Sequence, residues 1–191
     1  MSQDSPTRSP ILNVRGSKVG LGPFTQEYRQ IYYMQYLQDP ETAVHGSGNF
    51  RVISRVPEQQ ESNREVVFTV FELEGLTMIG ESLLMEIDHQ HQTASFGITI
   101  GNKDYWGKGY GSEASRLVLD YGFRFLNLYN ISLITSSFNE RAIRAYQKIG
   151  FKEIGRRRGA FLLGGQRYDD IYMDLLASDF EPPVPGWFSI Q

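Results

Sequence analysis

The stretch "YWGKGYGSEA" at residues 105–114 sets Gly107, Gly109 and Gly111 directly before a helix-like pattern. A helix start carries unpaired N–H groups and a partial positive charge. Glycines let the preceding backbone bend and let a ligand approach it closely. Together these features make either a phosphate site or a tight connection that needs glycine for its geometry alone. Two common phosphate loops are excluded. A G-x-x-x-x-G-K-[ST] loop needs Ser or Thr after Lys108, where Gly109 stands. A dinucleotide loop needs G-x-G-x-x-G and an acid about 20 residues on, but the spacing is G-x-G-x-G and Tyr129 and Asn130 occupy that place.

Other chemistry-bearing residues are sparse. The chain has no cysteine, which removes disulfides, thiolate metal sites and cysteine nucleophiles, and fits a reducing compartment. His89 and His91 fall in a predicted turn with no further ligand cluster, so no metal site is expected. His45 reads as a loop residue without a partner. No G-x-S-x-G elbow occurs. The run Arg156, Arg157 and Arg158 resembles a nucleic-acid patch, but a net charge of −3 favours a solvated stretch, and no nucleic acid is expected. No apolar run approaches the roughly 20 residues that span a bilayer, and the start "MSQDSPTRSP" lacks a signal-like apolar core. The expectation is a soluble cytoplasmic protein without membrane contact.

A length of 191 residues suits one domain with a sizeable core. Residues 1–12 read as a flexible polar tail. "SKVGLGPF" forms a short strand stopped by Pro23, and a helix follows from a cap at Thr25, with Tyr28, Ile31, Tyr32 and Tyr36 at helical spacing. Residues 40–63 are ambiguous, with "HGSGN" a loop and "FRVISRV" either helical or extended. "EVVFTVFEL", "TMIGESLLMEI" and "TASFGITI" are three strands with short links, hence antiparallel neighbours. A helix with Ala114, Leu117, Val118, Tyr121 and Phe125 on one face follows the glycines. Then come the strand "NISLITSSF", a helix capped by Asn139 and ended by Gly150, and the strands "FKEIGR" and "QRYDDIYMDLL". "EPPVPGWFSIQ" is a tail or docking arm. The order specifies a mixed α/β (α+β) domain around one sheet of about seven strands rather than a doubly wound fold.

"DYWGKGYGSEASRLVLDYGF" followed by "SSFNERAIRAYQKIGFKEIGRRR" resembles the GNAT superfamily of acetyl-CoA-dependent N-acetyltransferases. More closely, it resembles the branch of ribosomal-protein N-terminal and spermidine acetyltransferases. The resemblance spans residues 15–176 and is most specific over 96–158, giving a single GNAT domain at 13–177 between tails at 1–12 and 178–191. It implies a mostly antiparallel sheet splayed at the cofactor site, flanked by helices. It implies that backbone N–H groups from Gly107 through Lys108, Gly109 and Tyr110 to Gly111 face the coenzyme A pyrophosphate, with the Ser112 hydroxyl at the helix start. Ile98, Thr99 and Ile100 would offer backbone groups to the pantetheine arm and an oxyanion donor. Trp106 stands where the broad superfamily has Gln or Arg, but the closer branch shares this Trp-Gly form.

The resemblance makes Tyr146 the general acid; its helical spacing with Ala142 and Ile143 also fits plain packing. A phenol near pKa 10 stays neutral at pH 7 and so keeps a proton for the departing sulfur, whose thiol lies near 8.5. Asn139 and Ala142 are implied cofactor contacts, Asn139 also being a helix cap. Arg141, Arg144 and Lys148 either meet cofactor phosphates or are solvated. Relatives carry a glutamate on the fourth strand, where this chain has Ser95 and Phe96. Glu81 on the preceding strand is the candidate base, with Glu86 farther along. Without a base, a lysine-like amine near pKa 10.4 is seldom neutral, which favours an α-amine near 7.7–8.0. The acceptor stays open among peptide N-terminus, polyamine, aminoglycoside and amino sugar. Tyr28, Tyr32, Tyr33 and Tyr36 either pack in the core or wall the acceptor cleft. A homodimer is implied by resemblance only, and a catalytically silent acetyl-CoA-binding module is the alternative.

Overall fold

The computed structural model describes residues 9–46, 48, 50–57 and 62–183. The N-terminal tail up to residue 8 and the C-terminal arm from 184 lie outside them. Ile11 and Leu12 lie beside Gly22 and Gly20, and Phe180 lies 5.1 Å from Phe123.

Eight strands form one sheet in the order β1-β2-β3-β4-β5-β6-β8-β7. They are β1 (Val14–Arg15), β2 (Val19–Pro23), β3 (Val66–Glu72), β4 (Met78–Asp88), β5 (Thr93–Ile100), β6 (Asn130–Ser136), β7 (Lys152–Leu163) and β8 (Gln166–Leu176). Every pairing is antiparallel except β5 with β6. The expected count was about seven; the addition is β1, whose two residues are too few to show a period.

Alternation on β3 builds two cores. Phe68 and Val70 face α3 (Tyr110–Arg124), where they join Leu117 and Val118. Phe71 and Val67 face α1 (Gln26–Ile31), where they meet Tyr28 and Tyr32. This places Tyr28 and Tyr32 in the core. Tyr32–Tyr36 runs on from α1 as a π-helical turn, and the Tyr36 hydroxyl donates to the Met78 carbonyl at 2.6 Å.

Residues 40–46 are a helix, α2 (Pro40–Gly46), which corrects the loop reading of His45. The Asp39 carboxylate accepts from the Thr42 N–H at 2.9 Å, and Pro40 sits in the first turn, where its missing N–H costs nothing. "FRVISRV" is neither helix nor strand. It is strapped down by the Arg29 guanidinium donating to the Pro57 carbonyl and by Gln38 donating to the Ile53 carbonyl, at 2.9 and 2.7 Å.

The feature that makes a site is the β5–β6 junction. These strands pair only at Thr93–Ser95 with Asn130–Ser132, then part. Helix α4 (Glu140–Ile149) covers the opening, and its Tyr146 wedges edge-on against Phe96 and Phe151 at 6.3 and 5.8 Å.

Candidate active site

The glycine turn has the geometry the spacing requires. Gly107 and Gly109 have φ of 71° and 85°, where a side chain is strained. Gly109 is the N-cap of α3, so the first N–H groups of that helix are free to face a ligand. A Cβ on Gly107 would meet nothing within 4 Å. The space beside that backbone is therefore open.

The turn borders a cleft of about 380 Å³ that follows the parted strands. Ile98, Thr99 and Ile100 from β5, Trp106 to Ser112 excepting Lys108 and Tyr110, and Asn139, Ala142 and Tyr146 from α4 all line it. Arg141, Arg144 and Lys148 supply three cationic side chains, and no carboxylate lines this cavity among the described residues. Lys108 and Tyr110 stand outside it. The Lys108 carbonyl accepts from Lys18 Nζ at 3.1 Å, and Tyr110 stacks edge-on with Tyr105 at 4.9 Å. Both brace the turn from behind.

The strand alternation decides which backbone groups are available. The Gly101 N–H donates to the Ile79 carbonyl, so stepping by two pairs Thr99 with Glu81 and turns Ile98 toward the gap. The Ile100 carbonyl is already taken by the Trp106 indole N–H at 2.6 Å. Of the three strand positions, Ile98 has the backbone free for a ligand. The guanidinium of Arg141 sits 3.9 Å from the Trp106 ring centroid, a cation–π contact that joins α4 to the glycine turn.

Asn139 caps its helix and ties it to α2. Its Oδ1 accepts from the Ala142 N–H at 3.3 Å, capping α4, and its Nδ2 donates to the His45 carbonyl at 3.2 Å. The His45 ring lies between Trp106 and Phe138, at 5.8 and 5.5 Å. This bridge from α2 to α4 divides the opening. A second cavity of about 270 Å³ lies beyond it, with Ser136, Phe138, Phe161 and Asp170 in its walls. His45, Gly46, Ile98, Asn139 and Tyr146 line both cavities.

Tyr146 thus stands at the junction. Burial pushes its hydroxyl up to about 12. The hydroxyl makes no hydrogen bond to another described residue and keeps its proton at any ordinary pH.

Glu81 lines neither cavity. It sits on the α1 face of β4, between Thr69 and Thr99 in register. Burial pushes its carboxyl up to about 7, opposed by the Tyr32 hydroxyl and by Arg29. The Tyr32 hydroxyl lies near both Thr99, which lines the first cavity, and this carboxyl. Glu86 lies at a bulge with φ of 56° and accepts from Ser95 Oγ at 2.7 Å, away from both cavities. The raised carboxyl has a stability consequence. A folded pKa above the unfolded value costs nothing below about pH 4.5 and lowers stability as pH rises through about 7. At roughly 1.4 kcal/mol per unit the cost reaches about 3 kcal/mol. Glu81→Gln is therefore expected to raise Tm by several degrees at pH 8 and to leave it unchanged at pH 4. Equal shifts at both pH values in thermal melts would refute the burial of this charge.

Thr42, His45 and Gly46 were missed as site residues because α2 was not recognised. The signal was present in "DPET", an N-cap with proline in the first turn. The second cavity gathers residues 45, 136, 161 and 170, which no local pattern connects.

The geometry defines a class: a single-sheet domain whose cleft runs from a glycine-led helix start to a gap between two strands. The family profile of the acetyltransferase (GNAT) domain matches residues 18–152, and the chain belongs to that family. Spermidine N(1)-acetyltransferase of Escherichia coli K12 is 40% identical over 105 residues, covering 54% of this chain and 56% of that protein. The putative ribosomal N-acetyltransferase YdaF of Bacillus subtilis is 29% identical over 105 residues, covering 55% and 57%. The chain thus spans a little over half the length of these relatives. Among solved structures, spermidine N-acetyltransferase from Vibrio cholerae in complex with CoA and spermine superposes with a TM-score of 0.72 at 25% identity, over 86% of this chain and 98% of that one. A dodecameric structure of the Vibrio enzyme gives 0.57 at 34% identity, over 61% and 67%. No helix among the described residues is long and apolar enough to cross a membrane.

Proposed function

We propose that this chain is an acetyl-CoA-dependent N-acetyltransferase that uses Tyr146 as its general acid and accepts a primary amine. The observation that carries the reading is the position of the Tyr146 hydroxyl, uncommitted and protonated where two cavities meet. The first cavity suits coenzyme A: bare left-handed glycines at a helix start, cations on α4 and no acid among the described residues. Bound acetyl-CoA supplies the activated acetyl thioester. The glycine turn and the start of α3 hold phosphate, with Ser112 alongside. The Ile98 backbone orients the pantetheine arm, and its N–H is placed to donate to a carbonyl oxygen in the gap. Tyr146 gives its proton to the departing sulfur; the phenol is the weaker acid, so the transfer is uphill by itself and is drawn to completion as the buried phenolate takes a proton back from solvent.

Glu81 completes the reading as proton acceptor, in register with the cavity-lining Thr99. A carboxyl near 7 is matched to that task, and its presence removes the premise that favoured α-amines. Turnover of the wild type is expected to rise with pH through about 7, and Glu81→Gln to lose that limb of the profile. An unchanged profile would exclude Glu81. Polyamines are the proposed acceptors, supported by the relatives that bear that name. Self-association and a cytoplasmic location belong to the same proposal, the first supported by the dodecameric relative.

The test is thiol release from acetyl-CoA against spermidine, N-terminal peptides, aminoglycosides and amino sugars. A chain without cysteine adds no thiol background. Turnover with spermidine is the expected result. Acetyl-CoA binding with no thiol released by any amine would overturn the proposal in favour of a silent binding module.

A further inference from the structure

The two cavities have opposite charge. The first holds three cationic side chains and no acid, while the second holds Asp170 and neither Lys nor Arg among the described residues. The second also carries two buried polar atoms that lack a hydrogen-bond partner, Ser136 Oγ and His45 Nδ1. Buried polar atoms are seldom left unpaired, and both of these can accept. Phe138 and Phe161 form the adjoining wall, with ring centroids 5.4 Å apart, and aromatic faces attract cations. A carboxylate, two unmet acceptors and an aromatic wall describe a pocket for an ammonium group.

Asp170 is not idle. Its Oδ2 lies 2.5 Å from an Arg157 guanidinium nitrogen, across the β7–β8 pair. The partners are unequal: the Asp170 side chain is 13% exposed and that of Arg157 is 65% exposed. Asp170 is fixed in the wall, whereas Arg157 reaches it from solvent and does not line the cavity.

We propose that Asp170 is the specificity residue of the acceptor cavity, holding a second ammonium group of the acceptor, and that Arg157 is a resident competitor for that carboxylate. Ser136 Oγ shares the ammonium after a rotamer change. The first amine of the same acceptor then faces Tyr146, and Arg157 returns to Asp170 when the product leaves. This inference rests on the acceptor entering through the second cavity, as the reading above has it.

The two side chains predict opposite effects, which a merely structural ion pair would not produce. Titration calorimetry of spermidine, putrescine and butylamine into the full chain saturated with CoA provides the test. Asp170→Asn is expected to weaken spermidine and putrescine by about tenfold or more, and to lower their preference over butylamine correspondingly. Arg157→Gln, at an exposed position, is expected to tighten both by about threefold. Losses in both variants, or Asp170→Asn with native melting and unchanged affinity, would overturn the inference. So would a wild type that binds none of the diamines, even if it acetylates another amine. Asp170-dependent binding without thiol release would uphold the inference and refute the enzymatic reading instead. Should Asp170→Asn fold poorly, a tighter Arg157→Gln variant upholds the proposal and an unchanged one overturns it.

Discussion

Tyr146→Phe is expected to lower kcat by about two to three orders of magnitude, the usual worth of a positioned general acid. Acetyl-CoA affinity should stay within about twofold. The substitution keeps the ring, and with it the edge contacts to Phe96 and Phe151, so the wedge at the parted strands survives. It removes only a hydroxyl that no other described residue uses. Steady-state thiol release and a parallel acetyl-CoA titration separate the two quantities. A kcat within about threefold of wild type would remove Tyr146 as the acid and leave it as packing. The wild type has a further signature. With the hydroxyl near 12, the acid remains protonated through pH 9, so no alkaline fall in rate is expected there from this group.

Gly109→Val is expected to weaken acetyl-CoA binding by about fiftyfold or more. A β-branched residue at φ of 85° costs about 1–3 kcal/mol in backbone strain, and relief of that strain turns the first N–H groups of α3 away from the phosphates. The companion variant Gly107→Ala separates strain from space. A Cβ there touches no protein atom within 4 Å, so the fold loses only the cost of the left-handed conformation. A phosphate against that backbone is nonetheless displaced. Both variants should lose affinity for acetyl-CoA, with Gly109→Val also melting earlier. Unchanged affinity in both, measured by titration and by competition with inorganic pyrophosphate, would show that the turn is only a connection.

The parts of the fold legible in the sequence were those with local causes. "TASFGITI" is β5 from first to last residue because alternation and a preceding turn bound it. Asn139 and Gly150 bracket α4 because a side-chain cap and a left-handed exit are each one-residue signals. The glycine turn was legible because few uses other than backbone conformation require three alternating glycines. What was illegible has non-local causes. β1 exists because Val14 and Arg15 find β2 and not because they prefer extension. The π-helical turn at Tyr32–Tyr36 leaves no mark in spacing. The Asp170–Arg157 pair depends on a β7–β8 register that shifts twice, which alternation alone does not foretell. Glu81 was named from its place on a strand, but its raised carboxyl comes from burial under the first helix, which Tyr32 and Arg29 only partly offset.

The short β5–β6 ladder also bears on how the chain reaches this structure. Strands β1 to β5 pair with their neighbours in chain order, and β6 to β8 close a separate local unit. The chain crosses from one unit to the other once, through α3. The β2–β3 and β6–β8 pairings close loops as long as that of β5–β6, but each lies within one unit, so among the described residues only Thr93–Ser95 with Asn130–Ser132 needs the two units to dock. The seam proposed to admit coenzyme A is thus also the joint between the two units, and a ligand lying across it would tie together two pieces whose strands pair over only three residues.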